Sequence, residues 1–171
     1  MTVRPAEPGD AAAVAAIYAQ GIEEREATFE TEAPGADACA AWIGGPLTLV
    51  AEIDGAVAGF ARVFAYSDRC VYDGVGEYTI YLDRAARGRG VGRALLDALI
   101  AAAEAEGFYK LVGKLMADNA ASIALARRCG FREVGVHVRH GRLDGVWRDV
   151  LVVERLIGPA REPSSPARAT R

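Results

Sequence analysis

Glu77-Tyr-Thr-Ile-Tyr-Leu-Asp-Arg-Ala-Ala-Arg-Gly-Arg-Gly-Val-Gly-Arg-Ala-Leu-Leu-Asp-Ala-Leu99 reads as a strand, a glycine-rich turn and a helix start, and that order decides the fold. Thr79, Ile80, Tyr81 and Leu82 are β-branched, aromatic or aliphatic and suit a buried strand. Arg87, Gly88, Arg89, Gly90, Val91, Gly92 and Arg93 follow as a turn dense in glycine and arginine. From Val91 onward, Leu95, Leu99 and Ala103 recur at every fourth position, which predicts a helix with one apolar face. Glycine lets backbone N–H groups approach a ligand without interference from a Cβ. A helix N-terminus adds unpaired donors and partial positive charge. Together with the guanidiniums, the turn makes an anion site suited to a pyrophosphate.

Three phosphate-binding designs compete for this turn. A P-loop needs Gly-Lys-Ser/Thr after its second glycine, and the chain has Gly92-Arg93-Ala94. A Gly-x-Gly-x-x-Gly dinucleotide fingerprint from Gly88 needs glycine at 93, which is arginine, and an acidic residue further along that is missing. What remains is Arg-x-x-Gly-x-Gly, filled by Arg87, Gly90 and Gly92. This resembles the pyrophosphate loop of the GCN5-related N-acetyltransferases, which hold acetyl-CoA. The preceding Ile80-Tyr81-Leu82 is similar to that family's central strand, whose backbone lies along the pantetheine arm. The resemblance implies that Arg87, Gly88, Arg89, Gly90, Val91, Gly92 and Arg93 hold the phosphate end. Arg93, at the helix start, is better placed for a phosphate than Arg84, which reads as a solvated turn charge.

At 171 residues with 51% hydrophobic and 25% charged residues, the chain predicts one globular domain with a full core. Its net charge of −3 argues against a nucleic-acid partner. Cys39, Cys70 and Cys129 are scattered, and with only 2 histidines they fit neither a disulfide framework nor a metal site. A reduced, cytoplasmic setting is the expectation. Met1-Thr-Val-Arg-Pro5 has no apolar signal region, and no run of apolar residues is long enough to span a membrane.

In order, the chain predicts a short strand at 2–4, a helix capped by Asp10 to about Glu24, and an acidic loop carrying Phe29. A short helix over 36–43 follows, then strands at 47–53 and 57–66 joined at Asp54-Gly55, a hairpin dipeptide. After the central unit come a strand at 110–115, a helix from Asp118 or Asn119 to Arg128, and a strand at 131–138. His140–Gly145 reads as a polar turn region and 147–156 as the last strand. The expected fold is α/β, a mixed central sheet of about six to seven strands flanked by about four helices. Residues 1–158 form the domain, and 159–171, which lack core-formers, read as a disordered tail.

Asn119-Ala-Ala-Ser-Ile-Ala-Leu-Ala-Arg-Arg-Cys-Gly-Phe131 resembles a second element of the same family, and the likeness extends over about residues 2–157. Within it, Thr28-Phe29, Arg69-x-x-Tyr72-Asp73, Glu77-x-Thr-x-Tyr81 and Trp147-x-Asp149 are similar to the phosphinothricin N-acetyltransferase group. Lys110–Leu115 and His140–Asp149 look more like its arsinothricin-resistance branch. The resemblance implies acetyl-CoA as co-substrate, a small amino-acid acceptor and a homodimer.

Acetyl transfer to an amine needs a neutral nucleophile, a polarised thioester carbonyl and an exit for thiolate. Glu77 is the candidate base or ammonium anchor: it opens the central strand, where the phosphinothricin group carries its proposed base. Backbone N–H groups near Ile80–Leu82 are the candidate carbonyl polarisers. Arg69 can pair bidentately with an acidic acceptor group, Tyr72 can add a hydroxyl, and Phe29 with Thr31 can close over the substrate. Asn119 caps its helix and is a candidate contact for the pantetheine or thiol end.

Two positions depart from the pattern. Ala126 follows Leu125 where many relatives carry the tyrosine that protonates CoA thiolate, and Leu143-Asp144 replaces a Lys-His pair. His137 and His140 read as structural or exposed, Trp42 and Trp147 as core or subunit packing, and Lys114 has no assigned role. The leading expectation is acetylation of the α-amine of a glutamate analogue such as phosphinothricin, arsinothricin or methionine sulfoximine. The alternatives are acetylation of a protein N-terminus or polyamine, or a non-catalytic acetyl-CoA-binding module.

Overall fold

Leu95, Leu96 and Leu99 have no solvent exposure, because the helix after the glycine turn lays its apolar face flat on a sheet. The computed structural model describes residues 1–161. The chain runs β1 Thr2–Pro5, α1 Ala11–Glu23, α2 Ala36–Ile43, β2 Leu47–Ile53, β3 Ala56–Ala65 and β4 Val75–Leu82. It continues with α3 Val91–Ala105, β5 Lys110–Met116, α4 Ala120–Arg128, β6 Arg132–Leu143 and β7 Val146–Leu156. The strands form one 7-stranded sheet in the order β1-β2-β3-β4-β5-β7-β6. This is the mixed sheet with helices that the sequence predicts.

Strand alternation divides the core in two. Leu49, Ala51, Ala61, Val63 and Tyr78 face α3 and α4, while Val50 and Phe60 face α1 and α2. On the second side Tyr18, Trp42, Phe60 and Tyr81 interlock. The Tyr18 ring meets Tyr81 edge-on at 4.8 Å and Trp42 at 5.2 Å. Trp42 is therefore half-buried, packed against the core. Trp147 is not: it stands 53% exposed on β7 beneath the Arg142 guanidinium, 5.1 Å away.

The pairing of β4 with β5 sets the centre of the sheet. It is the one parallel pair in the sheet, and it holds for only three positions, Val75 with Lys110, Gly76 with Leu111 and Glu77 with Val112. Beyond Glu77, β4 stays paired to β3 as far as Leu82, while β5 stays paired to β7 as far as Met116. The two central strands thus separate into a wedge, and one edge of β4 from Tyr78 to Leu82 has no strand partner among the described residues.

The hairpin that ends the domain differs from expectation. His140–Gly145 is not a turn region; β6 continues to Leu143, and the reversal takes only Asp144 and Gly145, at φ 48° and 81°. Asp54 and Gly55 turn the β2–β3 hairpin the same way, at φ 51° and 81°. A register shift between His137 and Gly141, with Arg139 at φ 51°, absorbs the extra residues of β6. Gly158–Arg161 form a short 3-10 turn fastened by an Arg161–Glu104 ion pair. The rest of the expected tail, 162–171, lies outside the described residues.

Candidate active site

Two glycines shape the turn before α3 and a third does something else. Gly88 and Gly90 have φ of 71° and 82°, a region that penalises any side chain, and a Cβ on either would point into open space. Gly90 is the N-cap residue of α3 and offers no side chain to cap it; the first bond into the helix is Ala94 N–H to the Gly90 carbonyl, 3.1 Å. The amides of the first turn therefore receive no side-chain cap from Gly90. Gly92 is buried. A Cβ there would meet Leu82 at 3.1 Å and Leu125 at 3.3 Å, so this glycine lets α3 close onto β4 and α4.

The arginines divide likewise. Arg87 folds back, donating to the Leu82 carbonyl at 3.1 Å and pairing with Glu24 at 2.9 Å. Arg84 pairs with Glu23 at 2.8 Å and Glu24 at 2.7 Å. Burial pushes the Glu24 carboxyl up, but hydrogen bonds and charge from Arg87 and Arg84 outweigh it and hold the group below its ordinary range. Both arginines thus brace the turn against α1. Arg89 has no ion-pair partner among the described residues, and Arg93 meets only Asp97 at 3.4 Å on an exposed helix face. Unlike Arg84 and Arg87, neither is tied to α1 among the described residues.

At the other end of β4, residues distant in sequence form a connected cluster. Glu77 and Val112 are register partners, and Lys114 lies two residues on from Val112, on the same face. Lys114 Nζ donates to Glu77 Oε2 at 2.8 Å. The same ammonium lies 5.8 Å from the centre of the Tyr66 ring. Tyr66 meets Tyr72 edge-on at 5.9 Å, and the Arg69 guanidinium stands 5.8 Å over Tyr72. A cleft of about 430 Å³ opens beside Tyr66 and Tyr72 toward Val112 and His137. Glu77, Arg69 and Tyr72 were expected here; Lys114 and Tyr66 were not. The signal for Lys114 is its parity with Val112, which becomes visible only once β4 and β5 are known to be parallel neighbours.

The loop after α1 closes the hairpin end of the wedge. Tyr81 Oη donates to the Ala27 carbonyl at 3.4 Å, and Asn119 Nδ2 donates to the Glu26 carbonyl at 2.9 Å. Arg25 pairs with Asp144 at 2.9 Å across the β6–β7 turn. A Cβ on Gly141 would lie 2.6 Å from the Phe29 ring, so Phe29 packs against β6 at Gly141. Phe29 thus pins the loop to the hairpin, and no aromatic or ionic contact joins it to Arg69 or Tyr72.

Other expected residues have other partners. Asn119 uses both ends of its amide, since its Oδ1 also accepts from the Ser122 N–H at 3.0 Å. Burial raises the Tyr81 phenol well above its ordinary value. Ala126 is buried in α4, while Tyr109 donates to the Val71 carbonyl at 3.4 Å. His137 and His140 stack at 4.5 Å on exposed β6.

Comparison with known proteins finds relatives along most of the chain. Residues 16–131 match the family model described as the acetyltransferase (GNAT) family. The chain is 36% identical to the phosphinothricin N-acetyltransferase of Alcaligenes faecalis, over 90% of this chain and 81% of that protein. It is 31% identical to an L-methionine sulfoximine/L-methionine sulfone acetyltransferase of Salmonella typhimurium, over 90% of this chain and 93% of the relative. A phosphinothricin acetyltransferase from Sinorhizobium meliloti, solved in complex with acetyl-CoA, superimposes with a TM-score of 0.87 at 31% identity. That alignment covers 98% of this chain and 95% of that one. With most of its length matched by the family model and its fold shared with a relative that carries the cofactor, the chain belongs to the GNAT acetyltransferase family and is an acetyl-CoA-dependent N-acetyltransferase.

Proposed function

We propose that the protein acetylates the α-amine of a small glutamate-analogue amino acid of the phosphinothricin, arsinothricin or methionine sulfoximine type, by direct transfer in a ternary complex. The observation that carries this reading is the Glu77–Lys114–Tyr66–Tyr72–Arg69 cluster at the mouth of the wedge. It sets one carboxylate among cations and hydroxyls, which suits a zwitterion with a further anionic group. A polyamine would meet Arg69 and Lys114 as like charges.

The residues present fit acetyl-CoA. The first-turn amides of Val91, Gly92 and Arg93, together with Arg89, would take the pyrophosphate. The unpartnered edge of β4 at Ile80, Tyr81 and Leu82 offers main-chain groups for the pantetheine arm. Acetyl-CoA supplies the electrophilic thioester carbon: a C–N bond to the acceptor forms, the C–S bond breaks, and the second proton shed by the nitrogen goes to the departing sulfur, so that CoA leaves as the thiol. Glu77 accepts a proton from the acceptor's α-ammonium, directly or through one water, making the nitrogen nucleophilic. Backbone N–H groups of the open β4 edge polarise the carbonyl being attacked. The loop pinned by Phe29, Asn119 and Tyr81 limits water at the reacting atoms.

The assembly we propose is a homodimer working in the reducing cytoplasm, as three free cysteines permit. The edge strand β6 presents Val134, Val136 and Val138 to solvent, with no layer covering them among the described residues. A sedimentation mass of one chain would remove the dimer.

The activity is tested by following free thiol released from acetyl-CoA over a panel of amines. Release with phosphinothricin or methionine sulfoximine, and none with spermidine or a peptide N-terminus, is the expected result. Tight acetyl-CoA binding without release on any amine would overturn the assignment and leave a binding module.

A further inference from the structure

We propose that Lys114 is a specificity-determining residue that reads the acceptor's α-carboxylate and confines the enzyme to free amino acids. The inference rests on the proposed acceptor class. It begins from a match of charge spacing. Glu77 Oε2 and Lys114 Nζ present a negative and a positive charge 2.8 Å apart on one face of the sheet. A free α-amino acid carries its ammonium and its carboxylate on a single carbon. The two pairs complement one another, ammonium on Glu77 and carboxylate on Lys114, with the acceptor's distal anionic group left for Arg69.

Lys114 is built to change partners. Its side chain is 44% exposed, whereas that of Glu77 beneath it is 15% exposed, so an incoming carboxylate reaches the ammonium first. The Tyr66 ring supports the ammonium at 5.8 Å without supplying a competing anion. Lys110, on the same face of β5, is already neutralised by Glu154, which Arg132 also engages. Glu77 is the sole ion-pair partner of Lys114 among the described residues. When the acceptor carboxylate takes over Lys114, Glu77 loses its cation and gains the acceptor ammonium. One N–H bond of that ammonium then breaks, and its proton passes to the Glu77 carboxylate. An acceptor whose carboxyl is an amide, as in a peptide N-terminus, leaves Lys114 on Glu77 and keeps the base occupied.

The test compares kcat and KM for free methionine sulfoximine and for its α-carboxamide in wild type, Lys114→Met and Lys114→Arg. Wild type prefers the free acid. Lys114→Met raises KM for the free acid about 10- to 150-fold, the loss of a hydrogen-bonded charge pair. On the carboxamide its kcat/KM equals or exceeds that of wild type, because Glu77 is no longer held. Lys114→Arg, which keeps the cation, retains most of the preference for the acid. An equal loss on both acceptors, or an unchanged preference in Lys114→Met, overturns the Lys114 assignment while leaving the α-amine acetyltransferase reading intact. A wild type that favours the carboxamide overturns the acceptor class itself, and the Lys114 inference with it.

Discussion

Glu77→Gln lowers kcat for thiol release about 100- to 10,000-fold, the range for removing a positioned general base. The amide matches the carboxylate in size, and it still accepts a hydrogen bond from Lys114, now 2.8 Å away. Glu77 sits where β4 and β5 last pair, with Phe64 opposite it on β3 and Val112 on β5, so the strand frame holds without the charge. Folding and acetyl-CoA affinity therefore stay near wild type, and the loss falls on the acceptor step. Steady-state kinetics with acetyl-CoA saturating measures it. A variant within about threefold of wild-type kcat would remove Glu77 as the base.

Gly90→Val raises KM for acetyl-CoA about 5- to 150-fold. Gly90 occupies φ 82°, and a β-branched residue there costs about 1–3 kcal/mol or forces the backbone out of the left-handed region. Because a Cβ at 90 would meet nothing within 4 Å, the effect is conformational: the first-turn amides turn away from the anion they serve. Gly92→Ala is the contrasting case. Its Cβ would press on Leu82 at 3.1 Å and Leu125 at 3.3 Å, so its effect appears in thermal stability first. Substrate titrations on both variants, with circular dichroism to confirm folding, separate the two roles. A folded Gly90→Val with unchanged acetyl-CoA KM would contradict the loop's assignment.

The strand-turn-helix unit at 77–99 is legible because its signals are local: β-branched and aromatic residues, closely spaced glycines, then apolar residues every fourth position. So are the Asp54-Gly55 hairpin and the Asn119 cap, whose Oδ1 does accept from the Ser122 N–H. The same dipeptide at Asp144-Gly145 goes unread, because His140, Arg142 and Asp144 make a polar run that hides an exposed edge strand. Arg87 illustrates the other limit. Its motif position points to phosphate, but its partner, Glu24, lies 63 residues earlier, and only the fold brings the two together. Lys114 is hidden for the same reason, since its meeting with Glu77 depends on the register of two parallel strands 37 residues apart. Tertiary partners decide what each charged side chain does; local pattern decides only where it stands.

On the proposed reading, the wedge between β4 and β5 brings the two substrates together, with the cofactor's phosphates at the α3 turn and the acceptor at Glu77. Amide hydrogen exchange, recorded with CoA alone and then with CoA plus phosphinothricin, tests this most directly. CoA is predicted to slow exchange at residues 79–82 and 91–93, and the acceptor to add protection at 69–73, 77 and 114. Protection by CoA that bypasses β4 and the first turn of α3, falling instead in the cleft between Tyr66 and His137, would contradict it.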